Sequence, residues 1–87
     1  MSWTVRISRQ ARADLDHFRA HDTSAYVNCH RLSKAVSKDP FGGVGKPRKI
    51  ESLGGEVWCR RITLEDRMVY EVFEHSVTVA AYRTHIE

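Results

Sequence analysis

Residues 40–67 read PFGGVGKPRKIESLGGEVWCRRITLEDR, and they separate a helix-like N-terminal half from a strand-like C-terminal half. The segment begins with a glycine-rich loop and continues into a strand-like run that contains two adjacent arginines. Its basic residues before the turn are Lys46, Arg48, Lys49, Arg60 and Arg61. Because Lys and Arg contacts to phosphates dominate the affinity of proteins for nucleic acids, this segment predicts contact with a phosphodiester backbone.

The N-terminal side of this segment predicts one strand and two helices. Residues 3–7 alternate apolar and polar side chains, as a half-buried strand does. Ser8 can cap a helix over residues 9–20, which carries apolar side chains at helical spacing. A second helix, capped by Asp22 or the threonine after it, is expected to end near residue 38, because an Asp-Pro pair follows.

Four short strands are predicted on the C-terminal side, with polar turns between the last three. They cover residues 48–53, 57–64, 68–73 and 77–84. The order β-α-α-β-β-β-β predicts an α+β fold, with an antiparallel sheet and a helix pair that covers one of its faces. We expect residues 1–87 to form a single domain, since the sequence shows neither a linker nor an internal repeat.

The alternation of side chains along a strand predicts which C-terminal cations lie together. If both hairpin loops hold three residues, Thr63 lies opposite Arg67 and Phe73 lies opposite Val77. The residues that this register gathers on one face are Arg61, Arg67, Arg83 and His85. Two-residue loops would separate them, so the prediction depends on the loop lengths.

Composition and segment lengths limit the classes of function. The net charge of +3 over 87 residues permits a nucleic-acid partner without requiring one. The apolar runs are too short to span a bilayer or to form a signal peptide, so we expect a cytoplasmic protein with no membrane partner. Cys29 and Cys59 are expected to be free thiols. The scattered histidines and cysteines do not predict a metal site, and Pro47 replaces the Ser or Thr that a P-loop requires.

Four motifs of the sequence occur together in one family of small bacterial proteins. They are PFGGVGKP at residues 40–47, WCRRIT at 58–63, DRMVY at 66–70 and AAYRTH at 80–85. In this combination the chain resembles the YoeB/Txe toxins of bacterial toxin–antitoxin modules, within the RelE/ParE superfamily. The resemblance implies a RelE/ParE-like toxin that cuts mRNA in the ribosomal A site and blocks translation, without a metal or another cofactor.

The resemblance also implies a set of partners. Toxins of this family are usually homodimers that a cognate antitoxin neutralises, and here we expect an antitoxin of the YefM/Phd type. The ribosome and its bound mRNA would be the target, and operator DNA would be contacted only through the antitoxin complex.

The resemblance carries the family's catalytic arginines onto Arg61 and Arg67, and its C-terminal histidine onto His85. Cleavage through the 2′-hydroxyl needs a base, donors for the charged phosphorane and an acid for the leaving 5′-oxygen. Guanidinium groups suit the second role and an imidazole suits the third. The residues predicted to bind RNA are Lys46, Arg48, Lys49, Arg60 and Arg83, and Lys46 matches the lysine of the family's glycine loop.

Three positions depart from the family pattern. Arg48 stands where the family carries a glutamate that is often regarded as the general base, and Glu51 stands where it carries a lysine. Ile86 replaces the family's terminal tyrosine. We expect Glu51 to act as the base if its loop brings the carboxylate to the same place, and His85 to do so otherwise.

Other interpretations of the same residues remain open. Arg61 and Arg67 are also compatible with solvated strand arginines. Trp58 is either a core residue or a platform on which a base stacks, and Cys59 is either a packing residue or a thiol activated by the neighbouring arginines. The alternative function is that of a ParE-like toxin without nuclease activity, which acts on a protein target such as DNA gyrase.

Overall fold

Two helices and five strands make up the computed structural model, which describes residues 2–85. The helices are α1 (Arg9–His21) and α2 (Thr23–Lys38). The strands are β1 (Thr4–Ile7), β2 (Arg48–Lys49), β3 (Val57–Arg61), β4 (Arg67–Val72) and β5 (Ser76–Thr84). This order confirms the predicted β-α-α-β-β-β-β arrangement and the α+β class.

The strands form one sheet in the spatial order β1-β5-β4-β3-β2. Strands β2 to β5 pair antiparallel with their sequence neighbours, as predicted. Strand β1 instead pairs parallel to β5, so the whole sheet is mixed and the antiparallel prediction is correct only for the four C-terminal strands. A tight hairpin enforces antiparallel pairing only between consecutive strands, and both helices follow β1 before the next strand begins.

Both helices begin at the predicted caps. The Ser8 side chain accepts a hydrogen bond from the Ala11 backbone N–H at 3.0 Å, and the Asp22 side chain accepts one from the Ala25 N–H at 3.1 Å. Each cap satisfies a backbone donor that the first turn of a helix leaves without a partner. The short separation of α1 and α2 therefore makes a helical hairpin, and its apolar side packs on the sheet.

The core lies between the helical hairpin and one face of the sheet. It is built from small, aliphatic and aromatic residues of the helices together with alternate residues of the strands. Its principal members are Ala11, Leu15, Phe18, Leu32, Val36, Met68, Tyr70, Val77, Val79 and Tyr82. Trp58 is half-buried and packs against this cluster, which supports the core interpretation of that residue. Cys29 and Cys59 are buried free cysteines, as predicted.

Two predicted strands are shorter than expected because local hydrogen bonds compete with the ladder. The strand predicted over 48–53 contracts to β2, and a short 3-10 helix follows at Glu51–Leu53. Strand β3 ends at Arg61 because the Thr63 hydroxyl accepts from the backbone N–H groups of Glu65 and Asp66. Such side-chain bonds stabilise turns at the expense of strands.

The hairpin registers also differ from the three-residue loops that were predicted. Arg61 lies directly opposite Arg67, so residues 62–66 form the first loop and Thr63 does not face Arg67. At the second turn Val72 lies opposite Val77, and the Phe73 N–H donates to the Ser76 carbonyl at 2.8 Å. Both predicted pairings are therefore wrong.

Within residues 2–85, neither helix combines the length and the apolar character that crossing a membrane requires.

Candidate functional site

The centre of the candidate site is a pair of arginines at the adjoining ends of β3 and β4. Arg61 and Arg67 lie directly opposite each other in the antiparallel ladder, and they are exposed and half-buried, respectively. Directly opposed side chains have Cβ atoms about 4.5–5.5 Å apart, and like charges in such a pair destabilise the sheet. A bound anion would relieve this repulsion, so the pair is suited to hold a phosphate.

The pair lies on the face of the sheet that the helices leave uncovered. Met68 and Tyr70 point into the core, and side chains alternate along a strand, so Arg67 points away from the helices. Arg48 lies opposite Cys59, which is two residues before Arg61, and therefore shares this outer face. The outer face thus carries at least three cations on three adjacent strands.

Five cations at or near the outer face lack partners within the described part of the chain. Among residues 2–85 the following side chains form no ion pair within 4.0 Å and no hydrogen bond: Lys46, Arg48, Arg61, Arg67 and Arg83. Cations that are not neutralised by the protein itself raise the local positive potential, which attracts a polyanion.

The glycine-rich loop brings Lys46 beside the arginine pair. The Arg61 backbone N–H donates to the Gly45 carbonyl at 2.8 Å, which joins the loop to the end of β3. Gly45 has φ +90°, and a Cβ at this position would lie 2.8 Å from Leu32 Cδ2. Only glycine fits such a position, and Lys46 follows with φ 53°. The turn therefore fixes the backbone from which the lysine side chain extends.

Arg60 is buried, and the prediction that it binds RNA is wrong. Its side chain has no exposed surface, and its guanidinium donates to the carbonyls of Asp39 (2.6 Å), Gly42 (2.7 Å) and Val44 (2.9 Å). Its Nε donates to the Tyr70 hydroxyl at 3.1 Å. All three guanidinium nitrogens are bonded inside the protein, so none of them is available to a phosphate.

His85 lies at the end of β5, near the arginine pair. Thr84 lies opposite Arg67, and the His85 side chain, which is 69% exposed, places Nε2 3.7 Å from Asp66 Oδ1. This separation is longer than a hydrogen bond. Asp66 was not among the predicted site residues. The signal that could have identified it is its place directly before Arg67, at the same end of the sheet.

Glu51 and Lys49 belong to a separate cluster of charged side chains at β2. Lys49 Nζ lies 3.4 Å from Glu56 Oε1 and 4.0 Å from Glu51 Oε1, and the Glu51 side chain is 75% exposed. The Trp58 indole donates a hydrogen bond to Glu56, which together with Lys49 lowers the pKa of that carboxyl group. In residues 2–85 no ion pair joins Glu51 to the arginine pair or to His85.

Two of the three departures from the family pattern lie within the described residues, and one lies outside them. Arg48 is exposed on β2, and Glu51 begins the 3-10 helix that follows. Arg83 is exposed on β5, and its backbone N–H is bonded to a helix carboxylate. Ile86 lies outside the described residues. In the described range 2–85, no three His, Cys, Asp or Glu side chains are arranged to hold a metal ion.

The comparisons with known proteins agree with this fold and identify a family. A family model described as the YoeB-like toxin of bacterial type II toxin–antitoxin systems matches residues 7–86. The Toxin YoeB of Escherichia coli K12 is 33% identical over 78 residues, which cover 90% of this chain and 93% of that protein.

Solved structures of the same family are similar over nearly the whole chain. The YoeB dimer of Staphylococcus aureus superposes with a TM-score of 0.88 at 28% identity, over 99% of this chain and 100% of that one. The YoeB–YefM complex of Staphylococcus aureus gives a TM-score of 0.82 at 27% identity, with the same coverage. These matches confirm the resemblance that the four sequence motifs indicated.

Proposed function

Because this chain belongs to the YoeB-like toxins of bacterial type II toxin–antitoxin systems, we propose that it is a ribosome-dependent endoribonuclease. It would cut mRNA in the ribosomal A site, without a metal ion, and so inhibit translation. Its substrate would place it in the cytoplasm.

The observation that supports this proposal most is the direct pairing of Arg61 with Arg67. A guanidinium stays charged and presents forked donors that match the oxygens of a phosphate. Two of them at one point can stabilise the additional negative charge of the pentavalent phosphorane, which is the main requirement of phosphodiester cleavage. Removing one such preorganised donor lowers the rate by about 10²–10³ in other enzymes.

Proton transfer is assigned to the groups that surround this pair. His85 follows the residue that lies opposite Arg67, so we assign to its imidazole the protonation of the leaving 5′-oxygen. We assign removal of the 2′-hydroxyl proton to Glu51 or to His85 itself. The exposed Glu51 carboxylate contacts Lys49 in the free protein, so catalysis by Glu51 would require this contact to give way to the bound nucleotide.

The proposed partners follow from the relatives and from the charge of the outer face. Structures of the Staphylococcus aureus YoeB show a dimer and a complex with YefM. By analogy this chain would form a homodimer and bind a YefM-type antitoxin. We propose that an acidic antitoxin segment lies across the outer face and the glycine-rich loop, where it would pair with Lys46, Arg61 and Arg67. Operator DNA would be bound only through that complex.

A ribosome-programmed cleavage assay tests the function. The wild-type protein, Arg67→Ala, Glu51→Gln and Arg31→Ala would be compared on mRNA placed in the A site. Arg31 is exposed on α2, so its variant removes the same charge from the helical layer and controls for net charge. We expect A-site cuts that fall by about 10²-fold in Arg67→Ala and persist in Arg31→Ala. Equal activity of Arg67→Ala and wild type would contradict the mechanism, and the Glu51→Gln rate would show which base operates.

Two departures from the family pattern support the gyrase-directed alternative: the exchanged charges at Arg48 and Glu51, and Ile86 in place of the terminal tyrosine. Pulse labelling after induced expression separates the two functions. A ribosome-directed nuclease stops protein synthesis first, whereas a gyrase-directed toxin first triggers a DNA-damage response. Folded protein that leaves ribosome-bound mRNA intact would favour the alternative.

A further inference from the structure

A carboxylate of helix α1 is buried against strand β5. The Asp14 residue is 3% exposed, and its Oδ2 accepts hydrogen bonds from the backbone N–H groups of Tyr82 (2.9 Å) and Arg83 (3.2 Å). Its Oδ1 accepts from Gln10 Nε2 at 2.9 Å. Among residues 2–85 no cation forms an ion pair with it. A buried carboxylate is costly unless it is hydrogen-bonded, and here backbone amides of the sheet supply that stabilisation.

These two amides belong to a register shift in the β4–β5 ladder. Val69 lies opposite Ala81, but Arg67 lies opposite Thr84. Between these two pairs β4 advances by two residues and β5 advances by three, which is the arrangement of a β-bulge. Residues 82 and 83 lie at the bulge, and their N–H groups bond to Asp14.

The bulge determines which side chains of β5 accompany Arg67. A regular ladder continued from Val69 and Ala81 would place Arg83 opposite Arg67. A shift of one residue moves every later side chain to the opposite face of the sheet. The bulge therefore places Thr84 opposite Arg67 and brings His85 to its position beside Asp66.

We propose that Asp14 is a positioning residue for the candidate site. By holding the amides of residues 82 and 83, its carboxylate maintains the bulge and so sets the placement of Arg83 and His85 relative to Arg67. This inference rests on the proposed function for its effect on catalysis, whereas its effect on the strand register is independent of any activity.

The choice of variants follows from the bonds of the carboxylate. Asp14→Ala removes the acceptor for both bulge amides. Asp14→Asn keeps one carbonyl oxygen that can face both amides, while its NH₂ group can meet the Gln10 side chain after an amide flip. Asp16→Ala removes an exposed carboxylate from the same helix and controls for charge. Val36→Ala removes buried volume from α2 and controls for lost stability alone.

The first experiment reads the register by NMR on the full chain. In the wild type we expect a cross-strand contact between Arg67 and Thr84, and slow hydrogen exchange at the amides of residues 82 and 83. Asp14→Ala should replace this contact with one between Arg67 and Arg83. Asp14→Asn should keep the contact but speed exchange at these two amides, because the charge-assisted bonds become neutral ones. An unchanged register in folded Asp14→Ala would overturn the proposal, as would unchanged exchange in Asp14→Asn.

The second experiment measures kcat and KM in the ribosome assay. Misplacing a reacting group by about 1 Å can lower a rate by about 10²-fold. We therefore expect Asp14→Ala to lower kcat by about 10-fold or more, with KM nearly unchanged and with rescue in Asp14→Asn. Val36→Ala and Asp16→Ala should retain the wild-type kcat. A shifted register with a wild-type kcat would overturn the positioning role, whereas inactive wild type with the expected register would count against the proposed function only.

Discussion

Arg60 and Arg61 are neighbours on β3, yet they lie on opposite faces of the sheet and have opposite environments. Arg60 points toward the helices, is fully buried and is hydrogen-bonded on all three guanidinium nitrogens. Arg61 points outward, is exposed, and lies opposite a second arginine. Alternation along the strand is sufficient to separate them. The comparison shows that one cation can organise the loop while the adjacent cation stays available to a ligand.

Arg60, the inner arginine, stabilises the glycine-rich loop. A buried charge is tolerated only where its donors are satisfied, and here backbone carbonyls satisfy them. The carbonyls of Asp39, Gly42 and Val44 accept from Arg60, and the Tyr70 hydroxyl donates to the Pro40 carbonyl at 2.6 Å. The loop is thus wound around one guanidinium, and it presents Lys46 beside the outer face.

Replacing each arginine by methionine should separate the two roles most clearly. Arg60→Met leaves loop carbonyls without donors, so we expect the free energy of unfolding to fall by about 3 kcal/mol or more. Arg61→Met removes one member of a like-charged pair, and its effect on stability should stay within about 0.5 kcal/mol. Urea denaturation of both variants at pH 7 gives the measurement. Equal losses of stability would show that the comparison between the two faces is wrong.

A second test addresses the packing of the loop on Arg60. A Cβ at Gly45 would lie 2.8 Å from Leu32 Cδ2 and 3.1 Å from Arg60 Cβ, with φ at +90°. Gly55 also has a positive φ, of +56°, but its nearest contact for a Cβ is an ordinary 3.6 Å. Gly45→Ala should therefore destabilise the protein by about 2 kcal/mol or more, and Gly55→Ala by about 1 kcal/mol. Thermal and urea unfolding measure both, and a Gly55→Ala loss as large as that of Gly45→Ala would contradict the role of packing.

The face of the sheet on which Arg60 lies could have been predicted from the sequence. Trp58, Arg60 and Ile62 alternate, and two of these three residues are apolar, so the period-two pattern places Arg60 on the core face. Because its sequence neighbours are basic, Arg60 was instead predicted to bind RNA. The helices, their caps and the order of strands were predictable because they depend on local patterns.

Features that depend on distant contacts were not predictable in this way. The parallel pairing of β1 with β5 joins the two ends of the described chain. The bulge that sets the partner of Arg67 depends on Asp14, which is 68 residues from Tyr82 in the sequence. No local sequence pattern reports such a contact, so the predicted pairing of β4 with β5 was wrong, although the strands were identified and Arg61 and Arg67 share one face as predicted.

The outer face can be tested by the salt dependence of RNA binding. Each phosphate contact to a single strand contributes about 0.7 to the slope of log K against log salt. Arg61→Gln and Arg48→Gln should each reduce the slope for a short single-stranded RNA by about that amount. Arg31→Gln, on the helical layer, should leave it unchanged. Fluorescence anisotropy over a range of salt concentrations measures the slope, and an equal reduction in all three variants would indicate binding to net charge and not to the outer face.

Buried titratable groups on the inner side of the sheet should make the protein less stable in alkaline solution. On the inner side, burial raises the pKa of Cys29 from 9.0 to about 12, and burial also raises the pKa values of Tyr70 and Tyr82. A pKa that is higher in the folded state stabilises the protein fully below the unfolded value, and this contribution is lost as the pH rises from about 9 toward 12. The free energy of unfolding should therefore fall in that range.

Cys29→Ala isolates the contribution of the thiol to this loss. The variant leaves a small cavity, so it should be less stable than the wild type at pH 7.5, where the thiol is neutral in both states. Its stability should then fall less steeply between pH 8 and pH 10, since it has one group fewer to ionise on unfolding. Urea denaturation at several pH values would show the two stability curves converging. Parallel curves would mean that the buried thiol is not coupled to folding, and that the alkaline loss comes from the tyrosines of the inner face.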